Sequence, residues 1–416
     1  MKPITGLKIL LLIFLYLILN SCLLYSYDPF NEYKKNLENK YEKVNDYNFW
    51  IKHISKRKKI LLNYSQIQEL NHRIRSFADS TNNIFANFTE KDVYNKINRM
   101  FQYLFRKQRY FKSGLPVGKD FFQNMASQFN IKNISSILSE KRFAVIKKRA
   151  FLRTLPTDVK ILDFRLLEYF NRNIETITHI NELVRILNVS LNGKWYFIAS
   201  KYSFGWIKSE NLQKVENTEK YFGKMKKFCV ILNDNVTEHN LKLGDILPVA
   251  NNKIVLPDSG QISLLSLDKK DYSIGFLPFT KKNILKLVFN LIKSPYGWGG
   301  LGNRRDCSLF IMDIFRCFGI NLPRNSWKQS EVLLGFRIAG AKDKDEFIVK
   351  NGTPLTSIIY KRGHVMLYMG SVNGKTYIAH AFNMKDYHRG EILVTDLDFG
   401  RPGFSSSLLK LLYIFR

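Results

Sequence analysis

Cys307 and His364 are the residues whose type and setting most plainly permit chemistry. Cys307 stands in Arg305-Asp306-Cys307-Ser308, which runs into the apolar stretch from Leu309 to Phe318. That stretch reads as a buried helix with Asp306 at its N-cap, where a carboxylate accepts the otherwise unpaired N–H groups of the first turn. A cysteine at a helix start sits at the positive end of the helix dipole, which favours thiolate over thiol and suits a nucleophile. The bland reading of a free cysteine is a small buried hydrophobe, and Cys229 and Cys317 are read that way. On one helix, Cys307 and Cys317 would lie about 15 Å apart along the axis, out of bonding range.

A nucleophilic cysteine needs a base within hydrogen-bond reach and a third group that orients the base. Gly363-His364-Val365 opens an apolar strand, and Tyr377-Ile378-Ala379-His380 lies on the next strand, across Asn373-Gly374. An Asn-Gly hairpin could bring the two imidazoles side by side. Spacing alone leaves His380 open between an orienting partner and a satisfied core residue. His53 and His72 are isolated among Lys, Asn and Ile, and His239 and His388 lack a comparable setting. His-x-x-x-His and Cys-x-x-Cys spacings are absent, so no metal and no cofactor are expected.

The elements that must position these groups differ along the chain. Lys2 and Lys8 precede an apolar run from Ile9 to Leu19, too short to span a bilayer comfortably and laid out like the core of a signal peptide. It ends Leu19-Asn20-Ser21-Cys22, which resembles a bacterial lipobox and marks Cys22 for acylation. Ordinary cleavage near Tyr25 and an uncleaved anchor are the other readings; all three place the rest of the chain outside the cytoplasmic membrane, in the cell envelope. From Asp28 to Glu140 apolar residues recur at helical spacing, as in Ile67 to Phe77 and Val93 to Phe105. Short strand-like runs follow from Phe143, with Asn192-Gly193 as a hairpin turn. Asn192 to Phe197 and Phe204 to Ile207 look like a bacterial SH3-like domain, and the runs between Phe228 and Leu265 suggest a second. Helical texture returns at Thr280.

Before Cys307 comes Ser294-Pro295-Tyr296-Gly297-Trp298-Gly299-Gly300, whose glycines satisfy G-x-G-x-x-G through Gly302. The preceding segment reads as helix and no βαβ unit surrounds it, which excludes a dinucleotide fingerprint. A glycine turn that brings backbone close to an active site fits better.

Taken in order, Tyr296-Gly297-Trp298-Gly299-Gly300, Asp306-Cys307-Ser308, Leu322-Pro323-Arg324, Gly363-His364-Val365 and Ile378-Ala379-His380 resemble the NlpC family of cell-wall cysteine peptidases. These are papain-like γ-D-glutamyl-L-diamino-acid endopeptidases. Behind the lipoprotein signal peptide expected over 1–22, the resemblance implies a multidomain α+β chain: a helical stabilising domain over 28–140, SH3-like domains over 141–220 and 221–278, and a papain-like peptidase over 279–416. It implies Cys307 as nucleophile, His364 as general base and His380 as the group orienting it. Asp306 and Ser308 match residues that hold the substrate's free amino terminus, and Tyr296 matches an active-site tyrosine. Tyr202 and Trp206 are candidate substrate contacts from the SH3-like wall. Leu309 stands where many relatives have glycine.

Lys plus Arg number 65 against 35 Asp plus Glu, a charge of +30 that favours anionic partners. Export removes nucleic acid from that set, leaving head groups and wall polymers; the bland reading is a generally basic surface. The expected partners are peptidoglycan stem peptides and, through Cys22, a membrane. Two other functions stay open: an acyltransferase or amidase on the same scaffold, and a non-catalytic wall-binding lipoprotein.

Overall fold

The computed structural model describes residues 29–77, 83–163, 170–234, 236, 240–258, 260–338, 343–384, 389–399 and 409–415. The apolar leader, Cys22, His239 and His388 lie outside the described residues. The chain divides into two compact units, 1–43 and 44–416. The first contributes the helix Pro29–Tyr41, with Glu32 in its first turn and Lys40 in its last, each complementing the helix dipole. No helix among the described residues is long and apolar enough to cross a membrane.

Among the described residues, 44–416 hold antiparallel sheets of seven, five and six strands and a two-stranded ribbon of Ile60–Leu62 with Phe279–Thr280. In the seven-stranded sheet, Leu183–Val189 and Trp195–Ala199 form the hairpin expected at Asn192-Gly193, with Gly193 at φ +70°. One edge of that sheet is Ile174–Ile177, a strand with the sequence Ile-Glu-Thr-Ile. The five-stranded sheet spans Phe228–Ile231 to Tyr272–Ile274. The six-stranded sheet carries His364–Val372 between Ser357–Lys361 and Lys375–Ala381, with Ile392–Asp396 at its edge. Asn373 and Gly374 both take positive φ, +51° and +78°, as a tight primed turn demands.

The helix Cys307–Arg316 lies against His364–Val372 and Lys375–Ala381, and all ten of its residues are buried. An all-round apolar helix belongs in a core; here the polar Asp313 and Arg316 are enclosed as well.

The helical stretch ahead of the sheets packs in two directions. Its later part, including Val93, Ile97, Leu104, Phe122 and Phe129, shares one core with Phe197 and Trp206 of the seven-stranded sheet. Its earlier part joins the six-stranded sheet. Asn45 accepts from Val394 N–H at 2.8 Å and donates to Val394 C=O at 2.9 Å, covering an edge strand that would otherwise expose its ladder groups. Trp50 packs edge-on against Tyr377 at 5.9 Å. Asn71 clamps the loop after the buried helix, donating to Gly319 C=O at 2.7 Å and accepting from Asn321 N–H at 2.8 Å.

Candidate active site

Asp306 is the N-cap of Cys307–Arg316, accepting from Leu309 N–H at 2.9 Å. Its carboxylate also accepts from Gly299 N–H at 3.0 Å, Ser308 Oγ at 3.2 Å, and Arg324 Nη1 and Nη2 at 3.0 and 2.6 Å. A carboxylate offers about four lone-pair directions, and these donors occupy them. Against burial, which pulls it down, Asp306 holds the Arg324 guanidinium above its ordinary value. Arg324 further donates to Ser308 Oγ at 2.9 Å and to Thr176 Oγ1 at 2.7 Å. Asp306 and Ser308 are thus buried supports of the helix start. Leu309 is fully enclosed.

Cys307 is 8% exposed, whereas Cys229 and Cys317 are fully enclosed; all three are free thiols. Burial, and then the Asp306 carboxylate, push the Cys307 thiol up to about 12; hydrogen bonding from Val365 N–H, the Arg324 charge and Ser308 N–H oppose them. The helix start lies where the sequence places it, and burial and the Asp306 carboxylate act there against the dipole that favours a thiolate. The Val365 contact places the sulfur beside the backbone that follows His364.

His364 Nε2 and His380 Nδ1 are 3.0 Å apart, so the two strands do bring the imidazoles together. Leu367 pairs with Ala379, and continuing that register puts His380 diagonally across from His364. His380 Nε2 lies 3.2 Å from Thr395 Oγ1, and the rings of Phe382 and Phe399 flank it at 5.1 and 5.4 Å. Burial, then the neighbouring His364, hold His380 well below the ordinary imidazole range, so it stays neutral.

Tyr296 is held by its N–H to Gly390 C=O at 2.7 Å. Burial, then the Asp306 and Cys307 charges, push its phenol well above its ordinary value, leaving an O–H donor. The glycine turn brings a neighbouring sheet close. At Gly299 and Gly300, with φ +59° and +92°, a Cβ would meet Ile174 Cγ2 at 2.8 Å and Ile177 Cγ2 at 2.3 Å. Those residues bound Ile174–Ile177, whose Thr176 bonds Arg324.

The seven-stranded sheet therefore reaches the site through Ile174–Ile177 and not through Trp206 or Tyr202. Trp206 is fully enclosed and stacks on Phe129 at 5.9 Å. Tyr202 is buried, and its hydroxyl accepts from Arg316 on the far side of the helix. Sequence reasoning gave Arg324 no role although Leu322-Pro323-Arg324 was noticed, and it passed over Thr395 and Glu175, which carry no motif. Glu175 is half-buried on Ile174–Ile177; Thr154 Oγ1 donates to it at 2.8 Å, and burial raises its carboxyl above the ordinary range against Thr154 and Arg324. Among the described residues no group of three or more His, Cys, Asp or Glu could hold a metal ion.

Residues 293–388 match the model of the NlpC/P60 family. The chain is similar in fold to an NlpC/P60 endopeptidase from Photobacterium damselae subsp. piscicida, with TM-score 0.71 and 17% identity over 88% of this chain and 96% of that one. An NlpC/P60 family protein from Bacillus cereus ATCC 10987 aligns over 65% of this chain and 98% of its own, at 17% identity and TM-score 0.46. No curated protein matches the chain. The matched segment holds Tyr296, Asp306, Cys307, Ser308, Arg324, His364 and His380, and residues 293–388 form an NlpC/P60 family domain.

Proposed function

We propose that this chain is an exported cysteine peptidase that hydrolyses the γ-D-glutamyl-L-diamino-acid bond of peptidoglycan stem peptides, anchored to a membrane through acylated Cys22. The observation that carries the reading is the row Cys307, His364, His380 at the start of a buried helix and across a hairpin, inside the NlpC/P60 segment. The seven- and five-stranded sheets are read as two SH3-like modules, and the last 138 residues, 279–416, as the papain-like peptidase.

His364 takes the proton of the Cys307 thiol as the sulfur attacks the γ-carbonyl carbon. Backbone N–H groups at the helix start, that of Cys307 among them, face the developing oxyanion. His364 then gives its proton to the departing amine, and water releases the dipeptidyl thioester.

The ammonium of a stem peptide with free L-Ala is assigned to Glu175, since Asp306 has no lone pair to spare. Glu175 is a half-buried carboxylate next to Thr176, which bonds Arg324, and Thr154 Oγ1 donates to it at 2.8 Å. A charge-assisted bond there is lost when the amine is acylated or linked to muramic acid, which typically costs a few kcal/mol.

Mass spectrometry of digests of L-Ala-γ-D-Glu-diaminopimelate tests this. The expected products are L-Ala-γ-D-Glu and free diaminopimelate, formed at much higher kcat/KM than from the N-acetylated peptide. Glu175→Gln should erase most of that preference. Acyl transfer products, or equal rates on free and blocked peptides, would contradict the assignment.

A further inference from the structure

Four polar groups run diagonally across three adjacent strands: His364, His380, Thr395 and the carbonyl of Asp396. Thr395 Oγ1 lies 3.0 Å from Asp396 C=O and 3.2 Å from His380 Nε2, and it is fully enclosed. A threonine hydroxyl has one proton to give. If it goes to the carbonyl, the oxygen accepts from His380 Nε2–H, His380 Nδ1 accepts from His364 Nε2–H, and three hydrogen bonds form. If it goes to His380 Nε2, the order reverses, His380 Nδ1–H donates to His364 Nε2, and two form. Asp396 C=O also accepts from Phe399 N–H at 3.3 Å, so the second arrangement leaves the carbonyl one partner but gives up one buried hydrogen bond and leaves the Thr395 oxygen without a donor in the row; the first arrangement prevails.

We propose that Thr395 is a positioning residue that, through His380, keeps the His364 proton on Nε2 and the lone pair on Nδ1, so that His364 Nδ1 is the base. This rests on the peptidase reading, in which His364 deprotonates Cys307. The reversed arrangement would put a proton on His364 Nδ1 and leave no base there. The prevailing arrangement also suits the imidazolium formed during turnover, because His364 Nε2–H keeps the same acceptor whether the ring is neutral or charged. His380, covered by Phe382 and Phe399, stays neutral throughout and passes on the preference set by Thr395.

The test uses the full chain, ¹⁵N-labelled at histidine, with Thr395→Val, Thr395→Ser and Thr395→Ala; Val is close in shape and favours strands, and Ala serves if Val does not fold. The resting wild type and Thr395→Ser should show His364 ring nitrogen shifts of an Nε2–H imidazole, with the signals identified through His364→Asn. Thr395→Val should shift them toward the Nδ1–H form. In turnover, Thr395→Val should lower kcat about ten- to hundredfold with KM changed less than about twofold, and Thr395→Ser should restore most of it. Unchanged ring shifts and kcat within about twofold of wild type in both Val and Ala variants would overturn the proposal. The ring shifts are read without substrate, so a failure of the peptidase reading would show as absent turnover with the tautomer response intact.

Discussion

At its N-terminal end the helix Cys307–Arg316 faces the hydrogen-bonded row His364, His380 and Thr395, with the Asp306–Arg324 pair at its cap; along its other side it meets a charge-dense interior. There Asp313 accepts from Arg305 Nε at 2.8 Å and from His179 Nε2 at 2.8 Å. Arg305 grips Asp234 at 2.7 and 3.0 Å, Arg316 bonds Gly244 C=O at 2.7 Å and the Tyr202 hydroxyl, and Arg149 pairs with Asp245 at 2.8 Å. Burial and then Arg316 lower the His179 pKa, against the attraction and hydrogen bond of Asp313. Against burial, which would raise it, His179 and Arg305 keep Asp313 below the ordinary carboxylate range. The two sides divide the work. The hydrogen-bonded row near the thiol can pass one proton among well-defined atoms, whereas the opposing charges on the other side neutralise each other and tie the helix to both neighbouring sheets.

That contrast can be broken from either side. The largest stability effect belongs to the charged side. Asp313→Ala removes the carboxylate that His179 and Arg305 Nε share, leaving Arg305 to the Asp234 carboxylate, and removing one member of a buried pair typically costs about 3–5 kcal/mol. Urea unfolding should show a loss of that order, against less than about 1 kcal/mol for Cys307→Ala, which removes one sulfur at a helix start that tolerates alanine. Comparable losses in the two variants would erase the distinction.

Activity should sort the opposite way. His364→Ala should reduce kcat by about 10²–10⁴, as loss of a general base does, and His380→Ala by less, because it acts through His364. Arg324→Ala should lower both, since it supports Asp306 and Ser308 together. Steady-state kinetics beside melting temperatures would separate these patterns.

A smaller effect concerns pH. His179 and His380 are both held below the ordinary imidazole value, so below about pH 6.5 the unfolded chain takes up protons that the fold excludes. Stability should therefore fall as pH drops from 6.5 toward about 5. Glu175, raised by burial, opposes this only where it titrates, nearer the carboxylate range. A melting temperature that rises on acidification through this window would show that neither histidine is held neutral.

Much of the site could be read from local sequence because its geometry is local. Asp306 one residue before an apolar helix is a cap, and Asn373-Gly374 between two apolar strands is a hairpin that aligns His364 with His380. What escaped depends on residues far apart in the chain. Arg324 reaches Thr176 across 148 positions, and Arg316 reaches Tyr202 across 114, with no periodicity to announce either. Trp206 was misjudged for a related reason: an aromatic on a strand looks the same whether its face meets a cleft or a core, and the helices carrying Phe129 made it core. The Cys307 thiol shows the same limit in electrostatics. The favourable dipole is visible in the helix start, but the opposing burial and the adjacent carboxylate appear only once the strands close over it.

The most direct test of the account compares wild type with Cys307→Ala on L-Ala-γ-D-Glu-diaminopimelate, with near-ultraviolet circular dichroism confirming the same fold. Wild type should release diaminopimelate and Cys307→Ala should release none above the uncatalysed rate. Undiminished release by the folded Cys307→Ala protein would contradict the cysteine mechanism.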